Sequence, residues 1–246
     1  MPLATGTYLE LMRGRPVMFS FLARSRAAYR DLSVFESAVL DSGAYSVWRR
    51  GAEVDLYEYA DCCARLEDRL EWYANLDVIG DWRRGLENLH ELERLGLSPV
   101  PVYHLGESWG LLEDLALGYD RVGIARGEGL SRNETVRLLE AIFSRFTDLR
   151  GAPLCRLHGF RMTDRRLMAR FPFASVDSTT WIAGCAWDEL PTDSGRARGF
   201  SFLDDVEKTR VWLSFFDAAR KAATFRARTA YVNREYPAPE GLAYAH

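Results

Sequence analysis

Short apolar segments alternate with longer amphipathic segments along most of the chain. Eight of the apolar segments are rich in β-branched or aromatic residues and are bounded by glycine, proline or charge, which predicts β-strands. The predicted strands are Pro16 to Phe21, Val34 to Leu40, Trp72 to Ile79, Pro99 to Leu105, Arg121 to Ala125, Pro153 to His158, Phe173 to Val176 and Phe200 to Phe202.

Amphipathic segments between these strands show the helical period and carry signals for helix ends. Asp55 is a candidate N-cap, Ser131 and Glu134 form a candidate capping box, and Gly96 is suited to follow a helix. The predicted helices are Leu56 to Leu70, Trp82 to Leu95, the segment from the Ser131 cap through Phe146, Thr163 or Asp164 to Arg170, and Asp204 to about Arg226.

Strands that alternate with helices indicate parallel pairing and right-handed crossovers. The chain has 246 residues, which is the usual size of a single (β/α)8 barrel. A doubly wound open sheet is the alternative, but no GxGxxG motif follows the first strand. We therefore predict an α/β fold with one TIM-barrel domain over residues 1–230, and an extended C-terminal tail over residues 231–246.

Composition and charge are typical of a soluble globular protein, with 48% apolar and 27% charged residues. The net charge of −3 argues against a uniformly basic surface that coats nucleic acid. No apolar run approaches the roughly 20 residues that span a bilayer, and no secretory signal is visible. We expect a cytoplasmic protein without a membrane partner.

The cysteines of the chain do not indicate a metal site or a disulfide framework. Cys62, Cys63, Cys155 and Cys185 form no CxxC motif and no spaced cysteine and histidine set. We interpret most of them as small buried apolar residues. No metal and no cofactor are predicted.

Polar residues recur where the predicted strands end. The second, third and fourth strands carry Asp41, Asp77 and His104 at or near their ends. The fifth leads into Gly123-Ile-Ala-Arg-Gly-Glu128, the sixth into His158, and the seventh into Asp177-Ser-Thr-Thr-Trp. Active sites of (β/α)8 barrels form at the carboxyl ends of the strands. The pattern predicts a single site there, because a buried charge without partners is costly.

Each of these residues also has a purely structural interpretation. Asp41 fits an N-cap in an ordinary strand-to-helix turn, and Asp77 fits a buried acid with a structural donor. His104 and His158 fit core histidines with satisfied hydrogen bonds, and Glu128 fits the loop before the Ser131 cap. The number of such positions at one end of the strands favours the functional interpretation.

Taken in order, these segments resemble the tRNA-guanine transglycosylase superfamily. Asp-Ser-Gly-Ala-Tyr at Asp41 is similar to that family's Asp-Ser-Gly-Gly-Phe/Tyr, and Gly123 to Glu128 is similar to its Gly-Leu-Ala-x-Gly-Glu. Asp177 falls where the family keeps a nucleophilic aspartate. The resemblance covers roughly Pro16 to Arg226. The compact form and Val176-Asp-Ser-Thr-Thr-Trp181 are most similar to the 7-deazaguanine DNA transglycosylases of phages and some bacteria.

Two features depart from the pattern of the tRNA enzymes. The family's zinc subdomain has no counterpart here, which makes tRNA a less favoured substrate than DNA. In addition, Leu190-Pro-Thr-Asp-Ser-Gly-Arg196 resembles the segment that follows the nucleophile in tRNA enzymes, and in that alignment Asp188 would be the nucleophile. We favour Asp177, because it follows a predicted strand of the barrel and Asp188 does not.

The resemblance implies exchange of guanine in DNA for a free 7-deazaguanine base. Asp177 would attack C1′ and form a covalent glycosyl-enzyme, as in retaining glycoside chemistry. Asp41 would exchange protons with the leaving and incoming bases, which requires burial to raise its pKa. Asp77 would accept hydrogen bonds from the guanine edge, and Tyr45 would stack on the base. The remaining predicted substrate contacts are Ser42, Gly43, His104, Gly123, Ile124, Ala125, Glu128 and His158.

Three other functions remain open at this point. A transglycosylase that acts on tRNA would incorporate guanine into RNA and not into DNA. A (β/α)8 enzyme for a small phosphorylated metabolite would need a glycine-rich phosphate loop, for which Ser194-Gly-Arg196 with Gly199 is the candidate. A barrel that only binds nucleic acid would not depend on Asp41 or Asp177.

Overall fold

The computed structural model is a mixed α/β protein with parallel sheets. It describes residues 5–23, 31–148, 153–178, 185, 187–192 and 195–230. By its internal contacts the chain divides into two compact units, residues 4–104 and the chain from residue 105 onward. The α/β class predicted from the alternating pattern is therefore confirmed, while the single barrel domain and the extended tail remain predictions. The tail lies outside the described residues.

The first unit contains a parallel sheet in the order β1-β2-β3 and several helices. Its elements are α1 Thr5–Met12, β1 Pro16–Ser20, β2 Ser37–Asp41, α2 Ala44–Trp48, α3 Leu56–Leu66, β3 Trp72–Tyr73, α4 Trp82–Arg94 and β4 Val102–His104. Short 3₁₀ helices cover Phe21–Ala23, Leu32–Val34 and Glu67–Arg69. In the parallel register, Ser20 pairs with Asp41 and Leu40 pairs with Tyr73. Asp41 is thus the last residue of its strand.

The second unit contains the parallel strands β5, β6 and β7 and an antiparallel hairpin. Its elements are α5 Trp109–Gly118, β5 Arg121–Ala125, α6 Arg132–Arg145, β6 Arg156–Gly159, α7 Arg165–Arg170, β7 Ser175–Val176, β8 Glu189–Thr192, β9 Gly195–Arg198 and α8 Asp205–Ala230. Gly123 pairs with His158, and His158 pairs with Ser175. This register places His158 between Gly123 of β5 and Ser175 of β7.

The helix caps predicted from the sequence are confirmed. The side chains of Asp55 and Asp164 accept hydrogen bonds from backbone N–H groups of the first turns of α3 and α7. Ser131 and Glu134 form a complete capping box at the start of α6. Gly96 follows α4 with φ +85°, a conformation that glycine adopts without a steric penalty. These caps are local interactions, and the residues that make them are within three positions of each other.

Several predicted strands are shorter in the structure, as in β3 and β4, and two predictions are wrong about the kind of structure that some of their residues form. The predicted strand from Val34 begins only at Ser37, because Asp31 caps a 3₁₀ helix that includes Val34. The predicted strand at Phe200 to Phe202 is a turn, and the Phe202 side chain is 77% exposed. Nearby strand structure lies instead in the β8–β9 hairpin, where Glu189 pairs with both Arg196 and Arg198.

The cores of both units consist of apolar side chains between sheets and helices. In the first unit, Leu40 of β2 and Tyr59 and Cys63 of α3 are fully buried. In the second, the Phe143 ring stacks on Phe171 at 5.3 Å between centroids. All four cysteines are buried thiols, as the sequence predicts. Within the described residues, no helix is long and apolar enough to cross a membrane.

Candidate functional site

Polar side chains lie at the carboxyl ends of parallel strands in both units. Asp41 ends β2 and His104 ends β4 in the first unit. In the second unit, His158 lies in β6 and Asp177 directly follows β7. Ligands of α/β proteins bind at this end of the strands, so these groups are the candidates for chemistry.

In the first unit, hydrogen bonds link Ser42, Asp77 and His104. His104 Nε2 lies 2.9 Å from Asp77 Oδ2, and the Ser42 hydroxyl donates to Asp77 Oδ1 over 3.4 Å. The side chains of Asp77 and His104 are only 14% and 10% exposed. Because each carboxylate oxygen accepts more than one hydrogen bond, Asp77 retains acceptor capacity after these two contacts. The structure therefore connects three of the predicted site residues.

Helix α4 determines where Asp77 lies. The side-chain amide of Asn75 donates to the Gly85 carbonyl over 2.8 Å, and that of Asn88 donates to the Leu76 carbonyl over 2.9 Å. A Cβ atom at Gly85 would lie 3.9 Å from the Asp77 Cα atom, so the helix packs directly against this segment. Neither asparagine was predicted from the sequence to position the site: Asn75 lies two residues before Asp77, and Asn88 lies on α4.

The loop after β2 folds back on the Asp41 carboxylate. The Gly43 N–H donates to Asp41 Oδ2 over 3.2 Å, and the Ala44 N–H donates to the Ser42 hydroxyl over 3.3 Å. Gly43 has φ +79°, and it is the residue that caps the start of α2. Asp41 therefore closes a turn before α2, and the N-cap of this helix is Gly43. The structural interpretation of Asp41 as the N-cap is wrong. Burial and then nearby negative charge, including that of Asp41, raise the pKa of Tyr59.

Tyr45 presents an aromatic face close to this loop. It lies in the first turn of α2, its side chain is partly exposed, and its ring is 5.9 Å from the Trp48 ring in a tilted arrangement. An exposed aromatic side chain beside an acid is suited to stack on a planar base. The predicted stacking role of Tyr45 is compatible with this position and stays a prediction.

In the second unit, the Asp177 carboxylate is held through one oxygen. The Arg161 N–H donates to Asp177 Oδ1 over 2.9 Å, and His158 Nε2 lies 3.4 Å from the same oxygen. The Asp177 N–H donates to the Gly159 carbonyl, which continues the ladder between β6 and β7. Within the described residues, no donor contacts the second oxygen, Oδ2. The carboxylate is 20% exposed, so one oxygen is oriented and the other is available.

Arg161 supplies its N–H from an unusual backbone conformation. Its φ is +58°, which costs free energy for a side chain other than glycine. Strained residues of this kind concentrate at functional sites, where the surrounding structure holds them. The strain directs the Arg161 N–H at the Asp177 carboxylate. A sequence pattern does not reveal backbone strain, and Arg161 was not among the predicted site residues.

His158 is oriented by neighbours on two strands. Its Nδ1 lies 2.8 Å from the Ser175 hydroxyl, and Arg121 donates to the same hydroxyl over 3.3 Å. The Phe160 ring packs edge-on against the imidazole at 4.6 Å. Alternation along β7 was a signal for Ser175, because residues 175 and 177 point to the same side of a strand. Ser175 was nevertheless not among the predicted site residues.

The segment from Gly123 to Glu128 has two different environments. A Cβ atom at Gly123 would lie 2.4 Å from the Phe160 ring, so this glycine leaves space for Phe160. Ile124 is fully buried and Ala125 is partly buried. Glu128 is exposed in the loop before the Ser131 cap. The packing of Phe160 explains the glycine by itself, and a contact between this segment and a substrate stays a prediction.

Asp188, the alternative nucleophile, lies in a different kind of structure. It precedes the antiparallel hairpin, has φ +54°, and forms an ion pair with the buried Lys208. Asp205 lies 3.8 Å from the same ammonium group. The Lys208 ammonium group stabilises the negative charge of the Asp188 carboxylate, which makes this carboxylate a weaker nucleophile. The position of Asp177 after a parallel strand fits that role better.

The chain is thus an α/β protein in which each unit has acids and histidines in contact near strand ends: Asp77 and His104 in the first unit, Asp177 and His158 in the second. No group of histidine, cysteine, aspartate or glutamate side chains within the described residues could hold a metal ion. In comparisons with known proteins, no protein-family model and no curated protein matches this chain.

Proposed function

We propose that this protein is a base-exchange transglycosylase that replaces guanine in DNA with a 7-deazaguanine derivative such as 7-cyano-7-deazaguanine. The proposal includes a (β/α)8 barrel, to which the parallel strands β1 to β7 would belong, and action in the cytoplasm. It rests on the residues that resemble the tRNA-guanine transglycosylase superfamily and on the contacts these residues make.

The observation that carries the proposal is the environment of Asp177. A carboxylate nucleophile must keep one oxygen oriented while the other attacks. Oδ1 of Asp177 accepts from the Arg161 N–H and lies next to His158, whereas Oδ2 has no donor among the described residues. In the proposed reaction Oδ2 attacks C1′ and the guanine leaves, which forms a glycosyl-enzyme. The incoming base then displaces the aspartate from C1′.

Asp41 would exchange the proton that base departure and base entry require. The leaving guanine needs a proton, and the incoming 7-deazaguanine must lose one from N9, so a single group can serve both steps. The Asp41 carboxylate ends a buried strand, and one of its oxygens accepts from the Gly43 N–H. This contact orients the acid on a loop that glycine holds in a left-handed conformation.

Asp77 would recognise the guanine edge. Its carboxylate is nearly buried and oriented by Ser42 and His104, and it retains acceptor capacity for the N1–H and the exocyclic amine of guanine. A buried acceptor left unpaired costs about 1–3 kcal/mol, so a base without these donors would be discriminated against. A target base would have to leave the duplex to reach such a site.

The direct test is base exchange in vitro. The protein is incubated with duplex DNA and 7-cyano-7-deazaguanine, and the DNA is digested to nucleosides for mass spectrometry. We expect the modified deoxynucleoside, together with a protein–DNA adduct that survives denaturation. Incorporation of labelled guanine into tRNA and not into DNA would indicate an RNA enzyme instead. DNA binding without either product would indicate a binding protein.

Two substitutions test the assigned roles. D177N should abolish both exchange and adduct, while the matched exposed control D114N on α5 should retain both. D77A should weaken base binding and reduce the preference for guanine, while D61N on the exposed face of α3 should not. A D177N protein that still forms the adduct would end the assignment of the nucleophile, and unchanged selectivity in D77A would make Asp77 structural.

A further inference from the structure

A chain of polar contacts in the second unit runs from a buried arginine to the Asp177 carboxylate. Arg121 Nη1 donates to the Ser175 hydroxyl over 3.3 Å, and that hydroxyl lies 2.8 Å from His158 Nδ1. On the other side of the ring, His158 Nε2 lies 3.4 Å from Asp177 Oδ1. His158 is 2% exposed, so the protein determines which of its nitrogens carries a proton.

Nδ1 hydrogen-bonds to the Ser175 hydroxyl, whereas the 3.4 Å contact between Nε2 and Asp177 Oδ1 is electrostatic and not a hydrogen bond; both contacts favour the same protonation of the ring. A carboxylate only accepts, so the nitrogen next to Asp177 must carry a proton to interact favourably with it. Nδ1 is then the acceptor of a neutral ring, and the Ser175 hydroxyl is its donor. Arg121, which only donates, occupies a lone pair of the same hydroxyl.

We infer that Arg121 and Ser175 are positioning residues that hold His158 as the tautomer with its proton on Nε2. The assignment of the tautomer depends only on these contacts. Its consequence for catalysis rests on the proposed function. In that reaction, the Nε2 proton and the Arg161 N–H both interact with Asp177 Oδ1, so that Oδ2 is the attacking oxygen. The partner of a ring nitrogen commonly determines its tautomer in this way.

The packing around the ring makes this arrangement specific. His158 and Ser175 are paired residues of β6 and β7, and the Phe160 ring packs edge-on against the imidazole. A ring flip would place carbon atoms where the two nitrogens now lie, which would break the contact with Ser175. The register of the sheet and the aromatic contact therefore both select one ring orientation.

Nuclear magnetic resonance measures the tautomer without any enzymatic assay. Histidine side chains are labelled with ¹⁵N, and long-range ¹H–¹⁵N spectra are recorded at pH 8, above the ordinary histidine pKa of about 6.5. The H158Q variant identifies the His158 signals among those of the four histidines. We expect the His158 proton on Nε2. A proton on Nδ1, or on both nitrogens, would overturn the inference whatever the enzyme's activity.

Kinetics of base exchange test the consequence for catalysis. S175A should lower kcat about tenfold and leave KM within about twofold, because a change confined to the transition state lowers kcat and kcat/KM equally. S175T keeps the hydroxyl and should recover the lost rate, and the surface control S144A should be unchanged. An S175A protein with the wild-type kcat would refute the positioning role. Absence of exchange in the wild type would refute the proposed function and leave the tautomer result intact.

Discussion

Gly43 makes the loop after β2 possible, and replacing it tests the structure of the predicted site. Its φ of +79° disfavours any residue with a Cβ atom. A Cβ atom there would also lie 2.7 Å from Leu22 Cγ and 3.0 Å from the Ser20 hydroxyl. The substitution G43A therefore combines a backbone penalty with a steric one.

The two penalties can be separated by a control glycine. Gly51 also has a left-handed backbone, with φ +66°, but no atom lies within 4 Å of a Cβ atom built on it. The left-handed conformation costs about 1–2 kcal/mol, partly offset by about 0.4–1 kcal/mol from the stiffer unfolded chain. We expect G51A to lower the free energy of unfolding by about 1 kcal/mol. Overpacking adds about 1–3 kcal/mol, so G43A should cost about 2–4 kcal/mol.

Urea unfolding followed by circular dichroism measures both values, with the slope of the transition as a check on two-state behaviour. The second-site substitution L22A removes the clashing side chain, so it should recover much of the steric part in the G43A background. A G43A protein no less stable than G51A would show that the loop does not pack against Leu22, and would refute the described position of Asp41 and Ser42.

Two further predictions concern the caps and the thiols. S131A should lower the free energy of unfolding by about 1 kcal/mol through loss of the capping box, whereas S144A, an exposed serine within the same helix, should have little effect; equal losses would contradict the cap. Burial raises the pKa of Cys63 to about 12 and that of Cys155 to about 11. A thiol reagent at pH 8 should therefore label the native protein slowly, whereas all four thiols should be labelled after unfolding. Unfolded thiols ionise near pH 8.5, so the stability from these protonated thiols should fall as pH rises above that value; rapid native labelling would contradict their burial.

The chain determines its local features directly. Caps at Asp55 and Ser131 and the stop at Gly96 were all predictable, because each depends on residues a few positions apart. The α/β class was predictable for the same reason, since alternation of strand and helix patterns indicates parallel pairing. Helix α5 was not predicted, although its buried residues Leu111, Leu112, Leu115 and Ala116 follow the helical period on either side of Glu113 and Asp114.

Strand lengths were predicted less well than strand positions. The predicted strand extends from Trp72 to Ile79, yet β3 pairs only over Trp72–Tyr73, with an isolated bridge from Ala74 to Val100. A strand ends where its partner ends, and that partner is distant in the chain. The β8–β9 hairpin was missed for a related reason, because its ion pairs with Glu189 form only when both strands meet.

The amino-acid sequence alone determined which residues could do chemistry: acids and histidines placed where strands end. Only the tertiary structure decided which of them interact. The Asp77 side chain forms hydrogen bonds with Ser42, 35 positions away in the sequence, and with His104, 27 positions away. His158 forms one with Ser175, 17 positions away. These contacts depend on strand register, and the contact between Arg161 and Asp177 depends on the strained backbone conformation of Arg161. Both are properties of the folded chain and not of any single segment.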